Sequence, residues 1–309
     1  MILRTRPDLA DFDHLDTLPA ATGSFSVTWG GVATLLLDDG TDQFLTDGFF
    51  SRPSMRKVGL RRIRPDQERI ERGLDALGAD RVRVLLPVHS HYDHVMDAAV
   101  VAQRTGALLV GGESTLNVGR GGGLAEHQMQ RVAARSSVPA GAWTVSVHPG
   151  RHSEPDRFPG EITAPVVPPV RSTAYRCGEA WSVHVEHPTG RRMLIQGSAS
   201  FVPGALTGLQ AQVVYLGVGQ LGKLSVEHVR AYWNEVVRAV GARRVVLFHH
   251  DDFFHGLDEP LRALPYVGDD LGRTVERLTP LASTDGVSLH LPRLMVRQDP
   301  WQGLGGWDG

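Results

Sequence analysis

The chain has 309 residues, 41% hydrophobic and 21% charged, which is enough material for a sizeable core in one large domain or two smaller ones. A formal net charge of −2 excludes general attraction to nucleic acid or to a membrane surface. The single cysteine, Cys177, excludes an internal disulfide and fits a reducing compartment, and no low-pKa context gives its thiol a chemical role.

Residues 1–8 turn acidic at once and lack the apolar stretch of a secretory signal. No apolar run is long enough to span a bilayer, so a soluble cytoplasmic protein without stable membrane insertion is expected. Residues 24–29 and 33–37 read as strands around a Gly30-Gly31 break, and residues 44–47 return after the turn Asp38-Asp39-Gly40. A basic segment follows, with Arg52, Arg56, Lys57, Arg61, Arg62 and Arg64. Pro65 then suits the first turn of a helix that carries Ile70, Leu74 and Leu77 on one face and stops at Gly78.

Residues 84–88 form a short apolar run, the pattern of a buried strand, and it ends in His89-Ser90-His91-Tyr92-Asp93-His94. Val95, Ala98, Ala99 and Ala102 continue at helical spacing, so this polar cluster lies in a strand-to-helix loop. Imidazole and carboxylate are ligands for zinc, iron and manganese. Residues 107–110 predict a further strand and residues 119–123 a flexible glycine turn. The alternating strand at 143–147 delivers His148 and His152, and the proline-rich stretch 155–169 is expected to be a surface loop. Strands at 181–186 and 192–196 flank the turn Pro188-Thr189-Gly190, and the second runs into Gly197-Ser198. After a strand at 211–216, Ser225 opens a helix with Val226, Val229, Trp233, Val236, Val237 and Val240 buried. The strand 244–248 ends in His249-His250-Asp251-Asp252, and a helix at 271–281 and a strand at 287–291 close the fold. The aperiodic tail, 299–309, is expected to be loose, with tryptophans able to cap a neighbour. Four apolar strands thus end in polar residues, at His89, His152, Ser198 and His249, and strand-end loops are where sites collect on rigid scaffolds.

His89-x-His91-x-Asp93-His94 resembles the signature of the metallo-β-lactamase fold superfamily. Gly150-Arg151-His152-Ser153 is similar to its third-ligand loop, and His249 in Phe248-His249-His250 to its last histidine. Thr46-Asp47 before Phe49-Phe50 resembles the early strand end of the branch that holds ascorbate-6-phosphate lactonase and N-acyl phosphatidylethanolamine phospholipase D. The resemblance covers about residues 24–295 and implies an α/β protein, a four-layer αββα sandwich with mixed sheets and outer helices, in a single domain over 1–309.

It further implies that His89, His91 and His152 bind one divalent metal ion and Asp93, His94 and His249 a second. Zinc is the first choice, with manganese or iron as alternatives. Metal-bound hydroxide would then cleave a lactone, phosphodiester or related ester bond of a small, anionic substrate. The family's bridging aspartate is replaced here by Ser198, a neutral and therefore poor bridge, so one metal or two remain open. That departure keeps a second reading alive, a metal-binding sensor or scaffold of the same fold without hydrolysis. A di-iron redox protein is disfavoured by His91, where such proteins usually carry glutamate, and by the missing flavin domain. Asp251 or Asp252 is a candidate to compensate as a ligand or as an acceptor for a histidine N–H. His148 competes with His152, and His250 with His249; if the strand continues, 249 and 250 face opposite sides, which leaves His250 as a pocket wall or proton shuttle. Tyr92 either donates to substrate or packs on the helix, and the arginines after Asp47, with Arg120, Arg151 and Arg171, are candidate anion holders. His184 and His187 are expected to face solvent. Oligomeric state stays open, a homo-oligomer included.

Overall fold

The computed structural model describes residues 5–305. The first half carries β1 (Ser26–Trp29), β2 (Leu35–Asp38), β3 (Gln43–Thr46), α1 (Met55–Leu60), α2 (Gln67–Leu77) and β4 (Val82–Leu86). It continues with α3 (Tyr92–Val95), α4 (Ala98–Thr105), β5 (Leu108–Gly111), α5 (Glu113–Gly121) and β6 (Met129–Arg131). The second half carries β7 (Ser137–Ala140), β8 (Trp143–Pro149), β9 (Trp181–Glu186), β10 (Arg192–Gln196) and β11 (Val213–Gly217). It ends with α6 (Val226–Tyr232), β12 (Arg244–Phe248), α7 (Leu271–Asp285), β13 (Ser288–His290) and β14 (Arg297–Gln298).

The strands make two seven-stranded sheets, ordered β14-β1-β2-β3-β4-β5-β6 and β13-β12-β11-β10-β9-β8-β7. Both are mixed: β3 to β6 run parallel in one, and β10 to β13 in the other. The strand period of two decides how the second sheet is covered. Met193, Ile195, Val213, Tyr215, Val246 and Phe248 join the core shared with the first sheet. Their alternates Leu194, Val214, Leu216, Val245 and Leu247 pack with Val229, Trp233 and Leu278 of the outer helical layer. Both faces are therefore apolar, which is why β11 and β12 read as unbroken hydrophobic runs. The expected αββα sandwich is the observed fold. Among the described residues no helix is long and apolar enough to cross a membrane.

Several local expectations change. Asp66, not Pro65, caps α2, its carboxylate accepting from the Arg69 N–H, and Pro65 stays outside the first turn. The glycine run 119–123 is largely the end of α5, not a flexible turn. A Cβ on Gly121 would lie 1.8 Å from the Val166 carbonyl oxygen, so its bare Cα lets the 155–169 loop lie against the helix. The tail is not loose as far as it is described. Trp301 is buried, stacks on Trp143 at 6.2 Å and donates to the Arg192 carbonyl, while Trp307 lies outside the described residues.

Candidate metal centre

The site is assembled at the carboxyl ends of the strands. β4 is locked between β3 and β5 by parallel pairing, so the chain leaving it at Pro87 is held where His89 must fall. His91 precedes the single turn α3, which supplies Asp93 and His94; that part of the motif is helix rather than loop. β8 delivers His152, and β12 delivers His249 at a residue with φ of 62°.

Two triads result. One ligand atom each from His89, His91 and His152 lie within 4.8 Å of one another, and so do those of Asp93, His94 and His249. In the first, His89 Nε2 stands 3.1 Å from His91 Nδ1. In the second, Asp93 Oδ2 stands 3.6 Å from His94 Nε2 and 3.9 Å from His249 Nε2. The His89 and His94 rings are 3.8 Å apart, so the triads adjoin.

Burial sets the protonation of these groups. It is the leading cause that holds His89 and His94 well below the usual imidazole range, with neighbouring histidines adding to it. His91 and His249 are brought down to about 4, again first by burial, and His152 is lowered too. All five imidazoles are therefore neutral near pH 7 and have a lone pair to give. Asp93 moves the other way, pushed up to about 7 by burial. Because His91 is neutral, its 3.2 Å contact with Asp156 is an N–H to carboxylate hydrogen bond rather than an ion pair. Five neutral imidazoles and one carboxylate, converging from separate strand ends, fit a metal centre.

The nitrogens that point outward are mostly held. His94 Nδ1 is 2.6 Å from Asp47 Oδ2, and His152 Nδ1 is 2.7 Å from the Ser153 carbonyl. Asp47 also accepts from the Val88 N–H at 2.8 Å, which ties the end of β3 to the start of the histidine loop. Sequence reasoning noted Asp47 only as part of a resemblance; it directly follows Thr46, whose partner Leu86 ends the strand leading to the histidine loop. It also missed a buried brace. Asp251 accepts from Arg52 at 2.6 Å and from the Val32 N–H at 2.9 Å. Val32, Asp47, Arg52 and His249 all have positive φ, at 47°, 54°, 41° and 62°. Non-glycine residues in that region cost about 1–3 kcal/mol each and persist where their surroundings over-determine them.

Other candidates are placed elsewhere. Ser198 Oγ accepts from the Ser153 N–H at 3.0 Å, so it braces the His152 loop, and it belongs to neither triad. His250 lies tilted against Trp29 at 5.0 Å and makes none of the ring contacts that join the triads. His249 and His250 do diverge, but through the left-handed residue at 249, since β12 has already ended. Tyr92 is buried, edge-on to Phe49 and Phe253, which matches packing rather than a substrate donor. Asp252 pairs with Arg6 at 2.7 Å and Asp251 with Arg52, and neither belongs to a triad. Arg52 is thereby removed from the candidate anion holders, as is Arg120, which pairs with Glu113 and Glu126. His148 is buried beside Ser146, outside both triads. His184 and His187 do not face solvent: the first contacts the Gln210 carbonyl at 2.8 Å, and the second lies between Phe25 and Trp143.

No protein-family model matches the sequence, and no curated protein matches it. Solved structures do. A possible metal-dependent hydrolase from Veillonella parvula DSM 2008 superposes with a TM-score of 0.55 at 12% identity, over 88% of this chain and 97% of that one. Igni18, a metallo hydrolase from the archaeon Ignicoccus hospitalis KIN4/I, gives 0.51 at 14% identity, over 89% and 96%. CmlA, a diiron β-hydroxylase from Streptomyces venezuelae, gives 0.54 at 13% identity, over 91% of this chain but 55% of its own. At such identities the likeness shows the fold: the αββα sandwich that these metal-dependent proteins share.

Proposed function

We propose that the chain is a metal-dependent hydrolase acting on a small molecule, cleaving a lactone, phosphodiester or related ester bond. The observation that supports this most is the pair of triads, five neutral imidazoles and one carboxylate brought together from separate strand ends. His89, His91 and His152 would hold one divalent ion, and Asp93, His94 and His249 a second. When bound, such ions supply an acidified water and an electrophile for the scissile carbonyl or phosphoryl oxygen.

The chain's own groups do the rest. Asp47 keeps the proton of His94 on Nδ1, leaving Nε2 free to bind. Asp93 brings the negative charge of the second triad, and its proton must leave before the carboxylate ligates. Phe158 stands edge-on to His91 and Phe253 to His249, and these half-buried rings shield the ligands from water. The same fold serves a diiron β-hydroxylase, so fold alone does not choose the chemistry. A donor set of five imidazoles and one carboxylate favours zinc and hydrolysis over an oxygen-rich iron set. The buried, unpaired Cys177 fits the cytoplasm as the place of action.

Ser198 supports the second reading, a metal-binding protein without turnover, because its hydroxyl already serves the His152 loop. Elemental analysis together with a panel of lactones, phosphodiesters and amides, wild type against His91→Ala, separates the two. Turnover on at least one class, lost in the variant, is expected. Bound metal with no turnover on any class sinks the hydrolase reading.

A further inference from the structure

We infer that Asp156 is a positioning residue for the first metal, holding His91 so that Nδ1 faces the ion, with the Cys177 backbone tying its turn to the histidine loop. The inference rests on the metal-centre reading above. His91 Nδ1 and His89 Nε2 are 3.1 Å apart and point to a common centre with His152. The other nitrogen of His91, Nε2, lies 3.2 Å from Asp156 Oδ1 and 3.3 Å from the Phe158 carbonyl oxygen. Both partners are acceptors, and a neutral imidazole has one N–H, so the proton sits on Nε2 and the lone pair on Nδ1. A carboxylate acceptor also makes the ring a more basic ligand.

The loop is built to hold that contact. Asp156 Oδ1 accepts the Phe158 N–H at 2.9 Å, an Asx-type turn that fixes the carboxylate on its own backbone. Cys177 joins this turn to the histidine loop. Its N–H donates to the Phe158 carbonyl at 2.9 Å, its carbonyl accepts from the N–H of Ser90 at 2.8 Å, and its thiol lies beside the Asp156 carboxylate. Burial, and then the neighbouring Asp156 carboxylate, push that thiol up to about 12, so it stays an S–H. One loop therefore supplies the first metal with a ligand, His152, and four residues later with the acceptor that aims a second ligand. The ligand atoms of His91, Asp156 and Cys177 also lie within 4.8 Å of one another, so a separate cation held by these three is the rival the test must exclude.

The test compares wild type, Asp156→Ala, Asp156→Asn and Cys177→Ala, loaded with zinc and titrated against a chelator, then with cobalt(II) followed by its electronic spectrum. Circular dichroism monitors folding throughout, and Asp156→Asn keeps shape and an acceptor if the alanine variant folds poorly. Affinity for the first zinc is expected to fall about 10–100-fold in Asp156→Ala and less in Asp156→Asn, with an altered cobalt spectrum. Cys177→Ala, which keeps both backbone hydrogen bonds, should lose no zinc equivalent. Wild-type affinity and spectrum in Asp156→Ala overturn the inference while leaving the metal centre intact. Loss of one whole equivalent in both the Asp156 and Cys177 variants, with a thiolate band in the wild-type cobalt spectrum, overturns it in favour of a separate cation site. A wild type that takes up no zinc overturns it together with the reading it rests on.

Discussion

The two triads sit side by side but are built on different terms. The first is three neutral imidazoles, two of which have their outward nitrogens held, His91 by Asp156 and Phe158 and His152 by the Ser153 carbonyl. The second adds charge through Asp93, yet burial raises that carboxyl to about 7, and the buried Nδ1 of His249 has no hydrogen-bond partner. His94 alone in that triad is firmly aimed, by Asp47 at 2.6 Å. With Ser198 engaged by Ser153, no bridging carboxylate links the two among the described residues. Preorganised neutral donors bind without rearrangement, whereas the second set must release a proton and settle a loose imidazole. The two sites should therefore fill unequally, the first before the second.

The severest challenge to that asymmetry is His91→Ala. It should empty the first site and, since a bound metal contributes several kcal/mol to the barrier, cut kcat/KM by about a thousandfold or more, as steady-state assays with elemental analysis would show. Arg52→Met attacks the other side. It strands Asp251 buried and unpaired below the His249 turn, and thermal or denaturant unfolding should register about 3–5 kcal/mol of lost stability. Asp47→Ala should weaken the second metal about 10–100-fold and spare the first, which stepwise chelator titration resolves. Equal weakening of both would contradict the separation drawn between them.

The pH dependence sharpens the same contrast. In the metal-free protein Asp93 is protonated below about 7, and binding displaces that proton. Affinity at the second site should thus fall about tenfold per pH unit as pH drops below 7, while the first site, whose three imidazoles are all held below the usual range, should be affected less. Zinc titrations at pH 8, 6 and 5 (~3 points suffice) would show two curves that diverge. The smallest effect belongs to Ser198→Asp. A carboxylate there should tighten the second metal by about tenfold, equivalent to about 1.4 kcal/mol, at the cost of the brace to Ser153. Unchanged second-site occupancy would mean that residue 198 does not face the ions.

What the sequence by itself determined was local. The spacing of His89, His91, Asp93 and His94, the apolar strand before them and the polar ends of three other strands are all visible within a few residues. The unbroken apolar runs of β11 and β12 likewise suit strands buried on both faces. What the tertiary structure decided was which partner each ligand keeps. Asp47 reaches His94 across 47 positions, and Arg52 reaches Asp251 across 199, pairings that no local pattern encodes. The roles of Ser198 and His250 changed for the same reason, one engaged by Ser153 and the other turned onto Trp29. Hydrogen bonds join whatever the packing of two sheets brings within about 3 Å, and that proximity is a property of the fold, not of the spacing along the chain.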